Sequence, residues 1–172
     1  MKQPIARLQV YEIDPAWARY VQEQYPDKRL TICVGDVLQE DFSLLSGYQP
    51  WILLANIPYQ ITFPLLYKIH AHRQLFSLII IMIQEEVAQK IVKQQGRDYG
   101  IHSLYFQWYF HIKLLKKVLP GAFEPHPKVF SRLIQFEPKK EVAVIPDEQN
   151  FWQFVKLCFQ SPRRTLKNNL AQ

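Results

Sequence analysis

Residues 56–59, Asn-Ile-Pro-Tyr, close an almost wholly apolar run that begins at Trp51. A strand that ends in a carboxamide, a rigid turn and an aromatic ring has the parts needed to hold a heteroaromatic amine. The amino nitrogen of adenine is a weak nucleophile because its lone pair is delocalised into the ring. If the Asn56 amide oxygen and the Ile57 carbonyl each accept one of its N–H bonds, that lone pair leaves conjugation and can be aimed at an electrophilic carbon. Pro58 fixes the backbone so that the carbonyl keeps its direction. Tyr59 offers a face on which an extruded base stacks, a contact that contributes roughly 1–3 kcal/mol. Such a transfer requires no general base beforehand, and none is evident.

Two acids end earlier segments in the same manner. Glu12 closes "RLQVYE" and Asp36 follows "LTICVG". In open α/β sheets ligands sit beyond the carboxyl ends of the strands, where an acid can accept hydrogen bonds from ribose hydroxyls. Glu12 has that position, and Asp36 is placed to receive the exocyclic amine of an adenine ring. Ile13 and Val37 are their apolar neighbours in the same expected pocket. Acids at strand ends also serve as turn residues and helix caps, so this pair takes its meaning from Asn56.

The elements that must position these groups alternate in type. Strands are predicted at "RLQVYEID", "LTICVGDVL", "WILLA" and "LFSLIIIMI", and helices at "PAWARYVQEQY", "PLLYKIHAH" and "QEEVAQKIVKQQ", the last ending at Gly96. Pro15 suits the first helical position. The near-continuous apolar character of "WILLA" fits a strand covered on both faces. A further helix is expected between Tyr99 and Phe110. Two late strands, "FHIKLLKKVLP" and "KVFSRLIQFEP", flank a proline-rich link, and "DEQNFWQFVKLCFQ" and "SPRRTLKNNLAQ" are expected as closing helices. The class is α/β, a mostly parallel sheet with a late antiparallel pair.

Composition bounds the rest. The 172 residues carry a net charge of +6, which favours a polyanionic partner without naming one. Cys33 and Cys158 are the two cysteines, expected as buried thiols of a reduced, cytoplasmic protein. The five histidines, His70 and His72 among them, show no metal-ligand spacing, so no metal is expected. The longest apolar run is too short to cross a bilayer, and no membrane association is expected.

Asn56-Ile57-Pro58-Tyr59 resembles the [D/N]-P-P-Y signature of amino-group methyltransferases, and the likeness extends along the chain. "VYEIDP", "GDVL", "NIPYQITFPLL", "MIQEEVAQKIV", "YGIHSLYFQWY", "VLPGAFEPHPKVFSRLIQFEP" and "RRTLKNNL" follow in order. Together they resemble the ribosomal RNA adenine N6,N6-dimethyltransferases, the family of the kasugamycin-sensitivity and erythromycin-resistance methylases. The resemblance implies a Rossmann-like fold that uses S-adenosylmethionine to methylate two neighbouring adenines of small-subunit rRNA. It implies that Glu12 meets the cofactor ribose and Asp36 its adenine, with Ile13, Val37 and Asn56 beside them. Asn56, Ile57, Pro58 and Tyr59 would hold the target base, and Phe123 would clamp it from the other side. Lys128, Arg132, Arg163, Arg164 and Lys167 are expected phosphate contacts, with Lys113, Lys116 and Lys117 as further cations. In "RRTLKNN" several of these are expected to share one helix. The expected organisation is a partial methyltransferase domain over 1–140 and the start of a helical rRNA-binding region over 141–172, in a monomer.

The family pattern also includes a strand and a G-x-G-x-L-T turn ahead of the "EID" strand, and no G-x-G occurs in this sequence. The resemblance therefore implies an N-terminally truncated fold lacking on the order of 30–50 residues of a βα unit. The corresponding strand would lie between "RLQVYEID" and "WILLA". Unpaired edges and apolar surface are expected there, with poor S-adenosylmethionine binding and little turnover. Two alternatives stand beside a methylase: a non-catalytic RNA-binding ribosome-assembly factor, and a DNA N6-adenine methylase. The segments "PGAFEPHPKVFSR" and "RRTLKNN" fit the RNA family better than the latter.

Overall fold

In a computed structural model, residues 5–161 and 163–171 are described. The elements are β1 (Leu8–Glu12), α1 (Pro15–Gln24), β2 (Leu30–Val34), β3 (Trp51–Asn56), α2 (Thr62–Ala71), β4 (Phe76–Gln84), α3 (Glu85–Val92), α4 (Ile101–Tyr109), β5 (Phe110–Val118), β6 (Ser131–Pro138), α5 (Glu148–Cys158) and α6 (Leu166–Leu170). Short 3-10 turns link several of them. Among the described residues no helix is long and apolar enough to cross a membrane.

The strands form two sheets. β1 pairs in parallel with β2, and a second sheet runs in the order β3-β4-β6-β5. There β3 and β4 are parallel, whereas β6 runs antiparallel to both β4 and β5. The α/β class and the late antiparallel pair follow the sequence expectation.

The two sheets are not paired with each other. β1 and β3 are both edge strands, and a cleft of about 200 Å³ lies between them, lined by Gln9 and Tyr11 on one side and by β3 on the other. What joins the halves is the segment between β2 and β3. Phe42 is 1% exposed, lies 5.8 Å from Tyr11 ring to ring and packs edge-on against Phe76. Lys68 of α2 donates to the carbonyls of Leu38 and Glu40 on that same segment.

Period-two alternation decides which side of the larger sheet is covered. Leu53 and Ala55 align with Ile79 and Ile81, and these in turn with Phe136 and Ile134. That face packs with Leu65, Leu66 and Ile69 of α2, Ala88 and Ile91 of α3, and Phe106 and Tyr109 of α4. The alternate residues Ile52 and Leu54 are 60% and 72% exposed. "WILLA" is therefore covered on one face, not on both.

Three further details differ from the sequence expectation. α3 ends at Val92, short of Gly96, because α4 takes its terminal carbonyls: Ser103 Oγ donates to Lys90, and Gln107 Nε2 donates to Ile91 and Lys93. α6 spans Leu166–Leu170, with Thr165 as its cap. Arg163 and Arg164 thus lie ahead of the helix, and the basic residues of "RRTLKNN" do not share it. Cys33 and Cys158 are free thiols and only partly buried.

Candidate active site

The carboxyl end of β3 delivers Asn56, whose strand position pairs with Met82 of β4. Pro58 takes an extended conformation, φ −57° and ψ 134°, and turns the chain into a single 3-10 turn over Tyr59–Ile61 that runs into α2. Thr62 Oγ1 donates to the Tyr59 carbonyl at 2.8 Å and closes that turn. Asn56 is exposed while Ile57 and Tyr59 are half-buried, so the amide stands at the surface with apolar support behind it.

Phe123 reaches the same place from the link between β5 and β6. A 3-10 turn at Pro120–Ala122 precedes it, its N–H donates to the Pro120 carbonyl at 3.2 Å, and its carbonyl accepts from His126 Nδ1. Asn56, Ile57, Pro58, Tyr59 and Phe123 line one cavity of about 270 Å³, together with Gln60, Pro125 and Pro127. All five residues expected to handle a base therefore converge. Gln60 and Pro127 were not singled out from sequence, although the prolines around Phe123 mark a stiff loop. Nor was Ser131, whose hydroxyl lies 2.6 Å from Tyr59 Oη.

The carboxylates lie at the strand ends of the smaller sheet: Glu12 closes β1 and Asp36 follows β2. Glu12 and Asp36 are drawn together where the Gly35 N–H donates to the Glu12 carbonyl at 2.9 Å. Gly35 sits at φ 156°, and a side chain there would meet Glu40 Oε1 at 3.3 Å. Glu12 Oε1 accepts from the Asp14 N–H and Asp36 Oδ1 from the Leu38 N–H, each at 2.9 Å. Among the described residues, each acid has a second oxygen left for a ligand hydroxyl or amine. Ile13 is 68% exposed beside them. These groups fit the adenosine end of a nucleoside cofactor. Val37 and Asn56 line the cleft between β1 and β3. Glu12, Ile13 and Asp36 line neither that cleft nor the Tyr59–Phe123 cavity.

The expected phosphate contacts divide into two groups. Lys128, Arg163, Arg164 and Lys167 are exposed, as are Lys113, Lys116 and Lys117 on β5. Arg132 is not among them. Its side chain is 17% exposed, and its Nε and Nη2 donate to Glu85 at 2.7 and 2.8 Å while Nη1 donates to the Leu115 carbonyl at 2.8 Å. The guanidinium holds the Glu85 carboxyl down to about 2. Arg132 thus clamps α3, β5 and β6 together.

The family model described as ribosomal RNA adenine dimethylase matches residues 3–172. The chain belongs to the ribosomal RNA adenine dimethylase family. It is 38% identical over 169 residues to the ribosomal RNA small subunit methyltransferase A of Syntrophotalea carbinolica, which covers 97% of this chain and 64% of that protein. With the protein of the same name from Geobacter metallireducens it shares 37% identity over 171 residues, covering 96% and 62%. This dimethylase-family chain therefore spans less than two thirds of the length of these curated relatives. Its fold is similar to that of a dimethyladenosine transferase from Plasmodium falciparum, with TM-score 0.82 and 24% identity over 96% of this chain and 60% of that one. The 23S rRNA methyltransferase ErmE is similar at TM-score 0.73 and 22% identity, covering 96% and 66%. Both likenesses show the Rossmann-like methyltransferase fold.

Proposed function

We propose that the chain carries the target-adenine site of an S-adenosylmethionine-dependent methyltransferase that acts in the cytoplasm on small-subunit rRNA. The product is N6,N6-dimethyladenosine at two adjacent adenines. The observation that carries this is the convergence of Asn56, Ile57, Pro58 and Tyr59 with Phe123 on one cavity. S-adenosylmethionine, when bound, supplies an electrophilic methyl carbon. Glu12 and Asp36 would hold its adenosine end through ribose hydroxyls and the adenine amine, with Ile13 and Val37 as apolar contacts.

The chain's own work is on the target. Tyr59 and Phe123 receive the extruded base between two aromatic faces, which offsets part of the cost of unstacking it. The Asn56 amide oxygen and the Ile57 carbonyl accept the two amino hydrogens and turn the nitrogen lone pair outward. The proton released on transfer passes to water, since among the described residues no basic side chain lines the cavity. Exposed Lys128, Arg163, Arg164 and Lys167 supply phosphate contacts, each of which makes binding weaker in salt. The 141–172 segment contributes the last three of these cations as the start of the RNA-binding region.

A second reading, a non-catalytic RNA-binding assembly factor, is favoured by one feature: the sheet is split between the half bearing Glu12 and Asp36 and the half bearing Asn56. One experiment addresses both. Small subunits lacking the two dimethyladenosines are incubated with the chain and methyl-labelled S-adenosylmethionine, and the nucleosides are analysed by mass. In parallel, an rRNA stem-loop with 2-aminopurine at the target adenine is titrated. Stem-loop binding that weakens about ten-fold in Tyr59→Ala, in line with one lost stack, supports the target site. Any labelled adenine excludes the assembly-factor reading, and unaltered binding by Tyr59→Ala removes the target site altogether.

A further inference from the structure

Ser131 opens β6, and its side chain is 0% exposed. A hydroxyl that deep is costly unless it finds a partner, and it finds one 72 residues away: Tyr59 Oη, at 2.6 Å. We infer that Ser131 is a positioning residue that fixes the ring of Tyr59 as one wall of the base-binding cavity. The inference rests on the target-site reading proposed above and names a residue through which that site is held in shape.

The geometry explains why a tether is needed. Tyr59 sits in a single 3-10 turn whose backbone is secured by the Thr62 hydroxyl, but this fixes only the near end of the side chain. A tyrosine ring still has two torsions to settle. The hydrogen bond at Oη fixes the far end, so the ring plane is set before a base arrives. Less conformational freedom is then lost on binding.

The anchor is itself rigid. Ser131 aligns with Gln84 of β4 and Val118 of β5, so its backbone is held within the sheet from both sides. Its sequence neighbours are pinned as well. The Glu85 N–H donates to the Phe130 carbonyl at 2.9 Å, and Arg132 makes its paired bonds to the Glu85 carboxylate. The position of Tyr59 is thereby tied to the antiparallel part of the sheet rather than to the β3 tip alone. Phe123 enters from the loop that leads into this same strand, so the two walls share one foundation.

The test is a double-mutant cycle on binding of the 2-aminopurine stem-loop, with Tyr59→Phe, Ser131→Ala, both together, and Ser131→Thr as the conservative rescue. One hydrogen bond predicts a loss of about five-fold for either single variant. The double variant is expected to be no weaker than a single one, and Ser131→Thr to recover wild-type affinity. Incorporated 3-fluorotyrosine gives a second readout: the Tyr59 fluorine resonance broadens in Ser131→Ala, whatever its melting temperature. Additive losses in the double variant, or unchanged affinity in Tyr59→Phe, would overturn the inference; the latter variant serves where Ser131→Ala does not fold. A full effect of Tyr59→Ala beside a silent Ser131→Ala sinks this inference alone. A silent Tyr59→Ala sinks the functional reading beneath it.

Discussion

Between Ile5 and Val34 the one buried apolar side chain is Ala18, whereas β4 alone buries Phe76, Ile79, Ile81 and Ile83. The half of the molecule that would hold a nucleoside cofactor and the half that would hold a base are thus built on different amounts of core. Apolar burial is the main favourable term in folding, so the β3–β6 half and its cavity are preorganised. The β1–β2 half is held by a few side chains reaching across a cleft: Phe42, Tyr11, Lys68 and the Arg7 guanidinium over the Tyr48 ring at 4.3 Å.

That contrast can be broken most directly at Phe42. Phe42→Ala is expected to cost about 4 kcal/mol, as for a large aromatic removed from a core. Hydrogen exchange should show β1 and β2 losing protection while β4 and β6 keep theirs. Uniform loss along the chain would mean that the halves fold as one unit. Next in size is Arg132→Ala, which leaves Glu85 without its partner and should lower stability in chemical denaturation. Because the Glu85 carboxyl is depressed to about 2, chiefly by the Arg132 hydrogen bonds, the pair's contribution is complete above the ordinary carboxylate range. It is lost as pH falls toward 2. Glu85→Gln should remove that acid dependence.

Calorimetric titration with S-adenosylmethionine sharpens the comparison from the other side. Binding weaker than micromolar is expected for this chain while the stem-loop still binds, and a micromolar cofactor affinity would show the β1–β2 half to be as well formed as its neighbour. The smallest effect concerns His70, buried against Tyr105 and Tyr109. Burial, with Arg73 nearby, lowers its pKa to about 4. Its neutral form therefore contributes stability that is complete above about 6.5 and is lost as pH falls toward 4. Melting temperatures of wild type and His70→Gln should converge with acidification over that window.

How much of this was legible in the sequence follows from the range of the forces involved. The β3 strand and its polar tip were readable because a short apolar run and a proline turn are local signals. The resemblance implies unpaired edges beside β1, and β1 and β3 are both edge strands. Long-range partners were not readable. Arg132 looks like a free cation until Glu85, 47 positions earlier, is seen beside it. Gly96 looks like a helix stop until α4 is found capping α3 four residues sooner. Ser131 carries no local mark of its bond to Tyr59.

The exposed row of Ile52 and Leu54 next to an unpaired strand edge has a practical consequence for anyone purifying the protein. Such an edge is a template on which a second molecule can add its own strand. Light scattering should therefore rise with concentration, and Leu54→Lys should hold the solution clear.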